Sequence, residues 1–211
     1  MANDKFFQRR KETSRDDTKR KQRTEKQKNR CLIVCEGITE VNYFQALYSS
    51  NTKRANNVKV DVSPSKNGTD PMSVVGYAIK QLKITSYDAV ICVFDKERDA
   101  GNHEKFKQAN EELERISKQH KKTTIIGAWS IPCFEVWSLC HVYYTTRPFT
   151  DKKAVEAELE RQGFKAQDWR DDNKQKTAII NAKKLCDFHH DGNPSTRVHL
   201  AVEHLQSLLE A

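Results

Sequence analysis

In Cys31-Leu32-Ile33-Val34-Cys35-Glu36-Gly37-Ile38-Thr39-Glu40, five apolar residues run without a polar break and stop at an acid and a glycine. An apolar run of this length that does not alternate fits a strand buried on both faces, as in a parallel sheet. Thr39 is placed to N-cap a helix over about 40–50, where Val41, Phe44, Leu47 and Tyr48 fall at helical spacing. The same signature recurs at Ala89-Val90-Ile91-Cys92-Val93-Phe94, which ends at Asp95.

Between and beyond these runs, strand and helix alternate. Residues 57–62 alternate through Val58, Val60 and Val62, which reads as a strand nearer an edge. Asp70-Pro71 opens a helix, with Asp70 as N-cap and Pro71 at the first helical position. A charged helix follows over about 103–119 and a further strand over 123–129. Pro132 starts a helix carrying Phe134, Val136, Trp137, Leu139 and Cys140. The pattern predicts an α/β fold with a mostly parallel four-stranded sheet flanked by helices over 31–145. A helical extension packed on that core is expected over 146–211, with helices at about 151–162, 175–188 and 197–209. Asp191-Gly192-Asn193-Pro194 reads as the turn before the last helix, and Ser195 or Thr196 as its cap.

Charge divides the 211-residue chain unevenly. Residues 1–30 hold twelve Lys/Arg and five Asp/Glu, a net of +7 out of +8 for the whole chain, which leaves +1 for 31–211. With only Phe6 and Phe7 as large apolar side chains, this stretch is expected to be a disordered or loosely helical arm. Such an arm can solubilise the chain. It can also track phosphates, with Arg9, Arg10, Lys11, Lys19, Arg20, Lys21 and Arg23 as the candidate contacts. None of the six cysteines has C-x-x-C spacing, and Cys31 and Cys35 lie about 13 Å apart along one strand, too far for one metal. They read as free, mostly buried thiols in a reducing cytoplasm. No 18-residue apolar run is present and residues 1–30 lack an apolar signal region, so no membrane span and no secretory signal are expected.

In an open parallel sheet, side chains just past the strand C-termini converge on one crevice. Here these are Glu36, Asp95 and Glu97, with Glu40 one helical turn past Glu36 and Glu135 opening the helix after the 123–129 strand. Gathering like charges is costly unless a cation neutralises them. Mg²⁺ takes oxygen ligands and keeps several waters, which suits such a rim, and a carboxylate-held metal can activate water against a phosphate. Each residue also has a plainer reading. Glu36 and Glu135 can be acids at helix N-termini, and Glu97 and Asp99 can be part of a solvated cluster with Lys96 and Arg98. The histidines are scattered, and the adjacent His189 and His190 point about 100° apart on a helix, which does not suit one metal. Among the tryptophans, Trp169 lies in polar surroundings from which it could stack on a base.

The order of these segments resembles a known family. Leu32-Ile33-Val34-Cys35-Glu36-Gly37 is similar to the first Toprim motif, and Val93-Phe94-Asp95-Lys96-Glu97 to the second, normally Asp-x-Asp. More narrowly, residues 31–209 resemble the RloB-like proteins, which include the second component of AbiL-type abortive-infection systems. Tyr43-Phe44, Pro132-Cys133-Phe134-Glu135-Val136-Trp137 and Asn193-Pro194-Ser195-Thr196 carry that likeness. The resemblance implies a Toprim fold, a part in anti-phage defence, a partner ATPase that senses infection, and a homodimer. The related overcoming-lysogenization-defect nucleases use a two-metal site with Mg²⁺, for which Mn²⁺ can substitute. By similarity Glu36 would be a general acid/base or metal ligand, Glu40, Asp95 and Glu97 metal ligands, and Glu135 the residue completing the site. Ser130 would match a serine before the late Glu, and Lys174 or Lys176 a transition-state lysine. One departure stands: Asp-Lys-Glu replaces Asp-x-Asp, so either the longer Glu97 or Asp99 supplies the second ligand.

The resemblance therefore implies a Mg²⁺-dependent endonuclease acting on DNA or on an RNA such as tRNA. A haloacid-dehalogenase-type phosphotransferase would want Asp-x-Asp-x-Thr/Val at its first strand, whereas here the Asp95 strand comes third and position 99 is Asp. A non-catalytic module docking an ATPase and nucleic acid is the remaining alternative, since fold does not fix function.

Overall fold

Two strands, β1 (Asn29–Cys35) and β3 (Ala89–Asp95), lie side by side and parallel, and from Cys31 to Cys35 and Ala89 to Phe94 every residue is buried. The computed structural model describes residues 29–50, 58–66, 68–96, 100–190 and 192–210. Strand β2 (Val58–Pro64) flanks β1, and β4 (Thr124–Ile131) flanks β3, all in parallel. The sheet order is β2-β1-β3-β4-β5, where β5 (Ser195–Thr196) runs antiparallel to β4. Residues 1–28, with the seven basic candidates of the arm, and Glu97 and Asp99 fall outside the described residues. Residues 29 and 30, expected as the end of the arm, open β1 instead.

Helices cover both faces of the sheet. Cys31, Ile33, Cys35, Ile91 and Val93 pack into one core with α1 (Ile38–Ser50), α4 (Glu135–Cys140), α5 (Lys152–Arg161), α6 (Asp172–His189) and α7 (Val198–Glu210). Leu32, Val34, Val90, Cys92 and Phe94 face the other way, onto α2 (Pro71–Ile84) and α3 (Ala100–Gln119). The strict alternation along β1 and β3 shows why their sequence has no polar break: each face meets its own layer of helices. β2 is an edge strand, and past Val58 its residues are partly or fully exposed, as its alternating sequence predicts.

Several boundaries differ from the sequence reading. Helix α1 begins at Ile38, so Thr39 lies inside its first turn and does not cap it. β4 continues two residues past the expected end at 129, through Ser130 and Ile131. That leaves backbone groups to be paired at the sheet edge, and Ser195 and Thr196, expected only as a helix cap, form β5 against them. Part of the capping role remains, as the Thr196 Oγ1 accepts the Val198 N–H at 3.3 Å. Pro132 precedes α4 by three residues, and α6 starts early at Asp172 because Asp171 caps it through the N–H groups of Asn173 and Lys174. All six cysteines are free and five are buried; burial pushes the Cys31 and Cys92 thiols up to about 12. Among the described residues no helix is long and apolar enough to cross a membrane.

Asp70 caps α2 as its sequence predicts, with Oδ1 accepting from Met72 N–H at 3.1 Å and Ser73 N–H at 3.2 Å. Asp70→Ala is expected to cost about 1 kcal/mol, read as a lower urea midpoint with an unchanged slope.

Candidate active site

Chain connections leave β1 toward β2 on one side and β3 toward β4 on the other, so the pair marks the point where the winding reverses. Loops diverge there and open a crevice at the C-terminal ends of the strands. The register sets Cys35 opposite Val93, so both strands end at nearly one level. The Glu36 N–H donates to the Val93 carbonyl at 3.0 Å, and the Asp95 N–H donates to Glu36 Oε2 at 2.9 Å. The carboxylate of Glu36 is thereby latched onto the end of β3. The Asp95 side chain, partly exposed to the crevice, takes a hydrogen bond from the backbone at Phe134, which ties β3 to the start of α4.

The crevice has a volume of about 540 Å³, and Glu36, Gly37, Glu40, Asp95, Cys133 and Lys152 form part of its walls. Glu40 is 5% exposed. It sits in the first turn of α1, where backbone groups of Gly37 and of its own residue hydrogen-bond to it, as in a capping box. Gly37 permits this fold-back: a Cβ there would lie 2.8 Å from Glu40 Oε2.

Burial and neighbouring charge raise two of these acids. Burial holds the Asp95 carboxyl well above the usual carboxylate range, and the charges of Glu40, Glu36 and Glu135 push it further. Burial and Glu135 also raise Glu40, against the backbone hydrogen bonds and the charge of Lys152, which lower it. Glu135 is 7% exposed and lies behind the crevice wall. Its Oε1 stands 2.7 Å from Lys152 Nζ, while its Oε2 is buried with no hydrogen-bond partner among the described residues.

A hard, all-oxygen donor set with an unsatisfied buried carboxylate oxygen fits a divalent cation of the Mg²⁺ type, which needs only one or two carboxylates and keeps its waters. Among the described residues no three His, Cys, Asp or Glu side chains already stand as a ligand group. The acids line the crevice and do not converge on one point.

The profile of the RloB-like protein family matches residues 31–205, from β1 into α7. The chain belongs to that family. No curated protein matches it. The RloB-like span takes in all four described acids and stops short of the basic arm.

Within the RloB-like span, Ser130 stands beside Asp95 in the sheet register, and the two lysine candidates lie elsewhere. Ser130 is buried inside β4 and its Oγ pairs with Thr196 Oγ1 at 2.9 Å, so β5 occupies its hydroxyl. The lysine sought at 174 or 176 is not at the acids. Lys174 pairs with Asp168 at 2.8 Å, and Lys176 lines a separate cleft of about 320 Å³ with Trp169, Arg170 and Asp172. Helix α6 starts at Asp172, and its first turns face the 3-10 turn Ala166–Arg170 and the ends of α1 and α7. Trp169 packs edge-on to Tyr43 at 5.5 Å and donates its Nε1–H to Ser138 Oγ at 3.2 Å, a partly buried core contact. Sequence reading missed Lys152. It occupies the first position of α5, after the Asp151 cap, where the helix dipole disfavours a cation. A lysine there is a signal that an acid lies nearby in space.

A carboxyl raised in the folded state stabilises below its unfolded value, and that stability is lost as pH rises through the folded value. The metal-free protein is therefore expected to melt lower as pH climbs above the ordinary carboxylate range. Asp95→Asn should flatten that fall and raise the Tm near neutral pH, measured by calorimetry across a pH series. Gly37→Ala should displace the Glu40 carboxylate from its backbone hydrogen bonds at the start of α1, a loss of capping read by calorimetry as a Tm below wild type.

Proposed function

We propose that the chain is a Toprim-type endonuclease that hydrolyses phosphodiester bonds with Mg²⁺, or Mn²⁺ in its place. The observation that carries this reading is the crevice at the winding reversal, walled by Glu36, Glu40 and Asp95 from two adjacent strand ends. Glu135 lies behind it, charge-coupled to Glu40 and Asp95. A divalent cation bound there would neutralise charge on the scissile phosphate and sharpen the attacking water.

The chain's own residues divide the work. Asp95 and Glu40 would hold the cation, with Glu97 or Asp99 as the further ligand of the second motif and Glu135 completing the site. Glu36 is partly exposed at the mouth and oriented by the Asp95 N–H, a placement suited to moving a proton to or from the attacking or leaving oxygen. The raised Asp95 and Glu40 carboxyls give the crevice its affinity for a cation, since bound positive charge relieves their mutual repulsion. The substrate is nucleic acid, RNA such as tRNA or DNA, with the basic arm offering phosphate contacts. The biological setting that fits RloB-like membership is an abortive-infection effector in the cytoplasm, governed by a partner ATPase and working as a homodimer.

The test is incubation of the purified chain with end-labelled tRNA, single-stranded DNA and double-stranded DNA, with Mg²⁺, Mn²⁺ or EDTA. Cleavage that needs metal and falls at least about 100-fold in both Glu36→Ala and Asp95→Ala is expected. Nucleic-acid binding without any metal-dependent cutting, alone or with a partner ATPase, would replace the nuclease with a docking module.

A further inference from the structure

Among the described residues that wall the crevice there are four acids, Glu36, Glu40, Asp95 and Asp151, and one cation, Lys152. Lys152 Nζ is 2.7 Å from Glu135 Oε1, and its side chain is 54% exposed against 10% for that of Glu135. The two partners are thus unequally held. Glu135 is fixed in the first turn of a fully buried helix, whereas Lys152 reaches in from solvent on a flexible stem. The pairing overrides the helix dipole at the start of α5. The charge of Lys152 also lowers Glu40. One mobile cation therefore offsets the charge of two buried acids, while the second oxygen of Glu135 stays without a hydrogen-bond partner.

We propose that Lys152 is the resident counter-ion of the metal-free crevice, and that a divalent cation entering the site takes over Glu135 and displaces it. This inference rests on the metal-binding reading of the crevice. The displaced ammonium stays at the rim on its own stem, where the negative phosphate backbone of a substrate is its natural partner. Lys152 acts on the metal through Glu135 and is a positioning residue. In this arrangement the buried acids are never left without positive charge, with either the lysine or the metal beside Glu135.

The experiment compares wild type, Lys152→Met and Lys152→Arg as full-length proteins, reading Mn²⁺ affinity by calorimetry and Tm with and without Mn²⁺. Lys152→Met removes the competitor and leaves Glu135 without its partner. Its Mn²⁺ affinity is expected to rise about tenfold. Its metal-free Tm is expected to fall below wild type, and saturating Mn²⁺ to close that gap; Lys152→Arg should behave as wild type. On a Glu135→Gln background the effect of Lys152→Met on Mn²⁺ affinity should shrink to the part that acts on Glu40, as expected for two residues acting largely through one contact. If wild type binds Mn²⁺ and Lys152→Met binds it no more tightly, or its lowered Tm is not restored by Mn²⁺, the counter-ion proposal fails and the metal site stands. If neither protein binds Mn²⁺, the metal-binding reading falls and the proposal with it. If Lys152→Met gains Mn²⁺ affinity but wild type cuts no nucleic acid, the proposal survives the loss of the nuclease reading.

Discussion

Everything about this molecule depends on two parallel strands whose buried stretches, Cys31 to Cys35 and Ala89 to Phe94, carry no charged side chain and are followed at once by an acid. β1 and β3 are covered on both faces, so the chain turns polar at Glu36 and Asp95, where helices no longer cover it. Because the connections diverge there, the two acids open onto a crevice and not onto a loop. The fold thereby concentrates negative charge at its own switch point, and that charge must be offset by protonation, by a lysine or by a cation.

The helical second half of the chain is what completes the crevice. Asp151 and Lys152, at the start of α5, wall its far side, and Phe134 and Glu135 sit at the start of α4. Helices α4 and α6 are held against α1 by a polar contact chain inside the core. The amide of Gln175 bridges the Tyr43 hydroxyl at 2.6 Å and His141 Nε2 at 3.0 Å, and His141 Nδ1 meets the Trp137 carbonyl at 2.9 Å. Burial lowers the pKa of His141, against the hydrogen bonds to Gln175 and Trp137, which raise it. Tyr43 meanwhile takes edge-on contacts from Phe134, Trp137 and Trp169. One apolar cluster runs from Cys31 to Leu209, so the extension expected at 146–211 shares its core with the sheet.

Much of this was legible in the chain itself. Unbroken apolar runs at 31–35 and 89–94 named the two central strands, and the alternation at 58–62 named an edge. Asp70-Pro71 marked a helix start whose cap is present atom for atom. Glu36, Glu40 and Asp95 were legible because a strand C-terminus is a place in sequence as well as in space. Ser130 and the lysines at 174 and 176 rested on family likeness and not on periodicity; Ser130 lies beside Asp95 in the sheet register, whereas the two lysines stand away from the acids. Ser130 is held inside the sheet by a two-residue strand from 65 residues downstream, too short for any periodicity to announce. The lysines ride on a helix whose first turns face Asp168 and a different cleft.

By itself, then, the sequence determined the α/β class, the central strands, the Asp70 cap and the acids that follow strand ends, because these depend on periodicity and on neighbours within a few residues. Only the tertiary structure decided that Lys152 is the cation beside those acids, that Glu135 lies behind the wall with one oxygen unpartnered, and that β5 occupies the hydroxyl of Ser130. Those facts depend on pairings between residues 17 to 66 positions apart, which local propensity does not encode and which packing of the helical layers onto the sheet brings about.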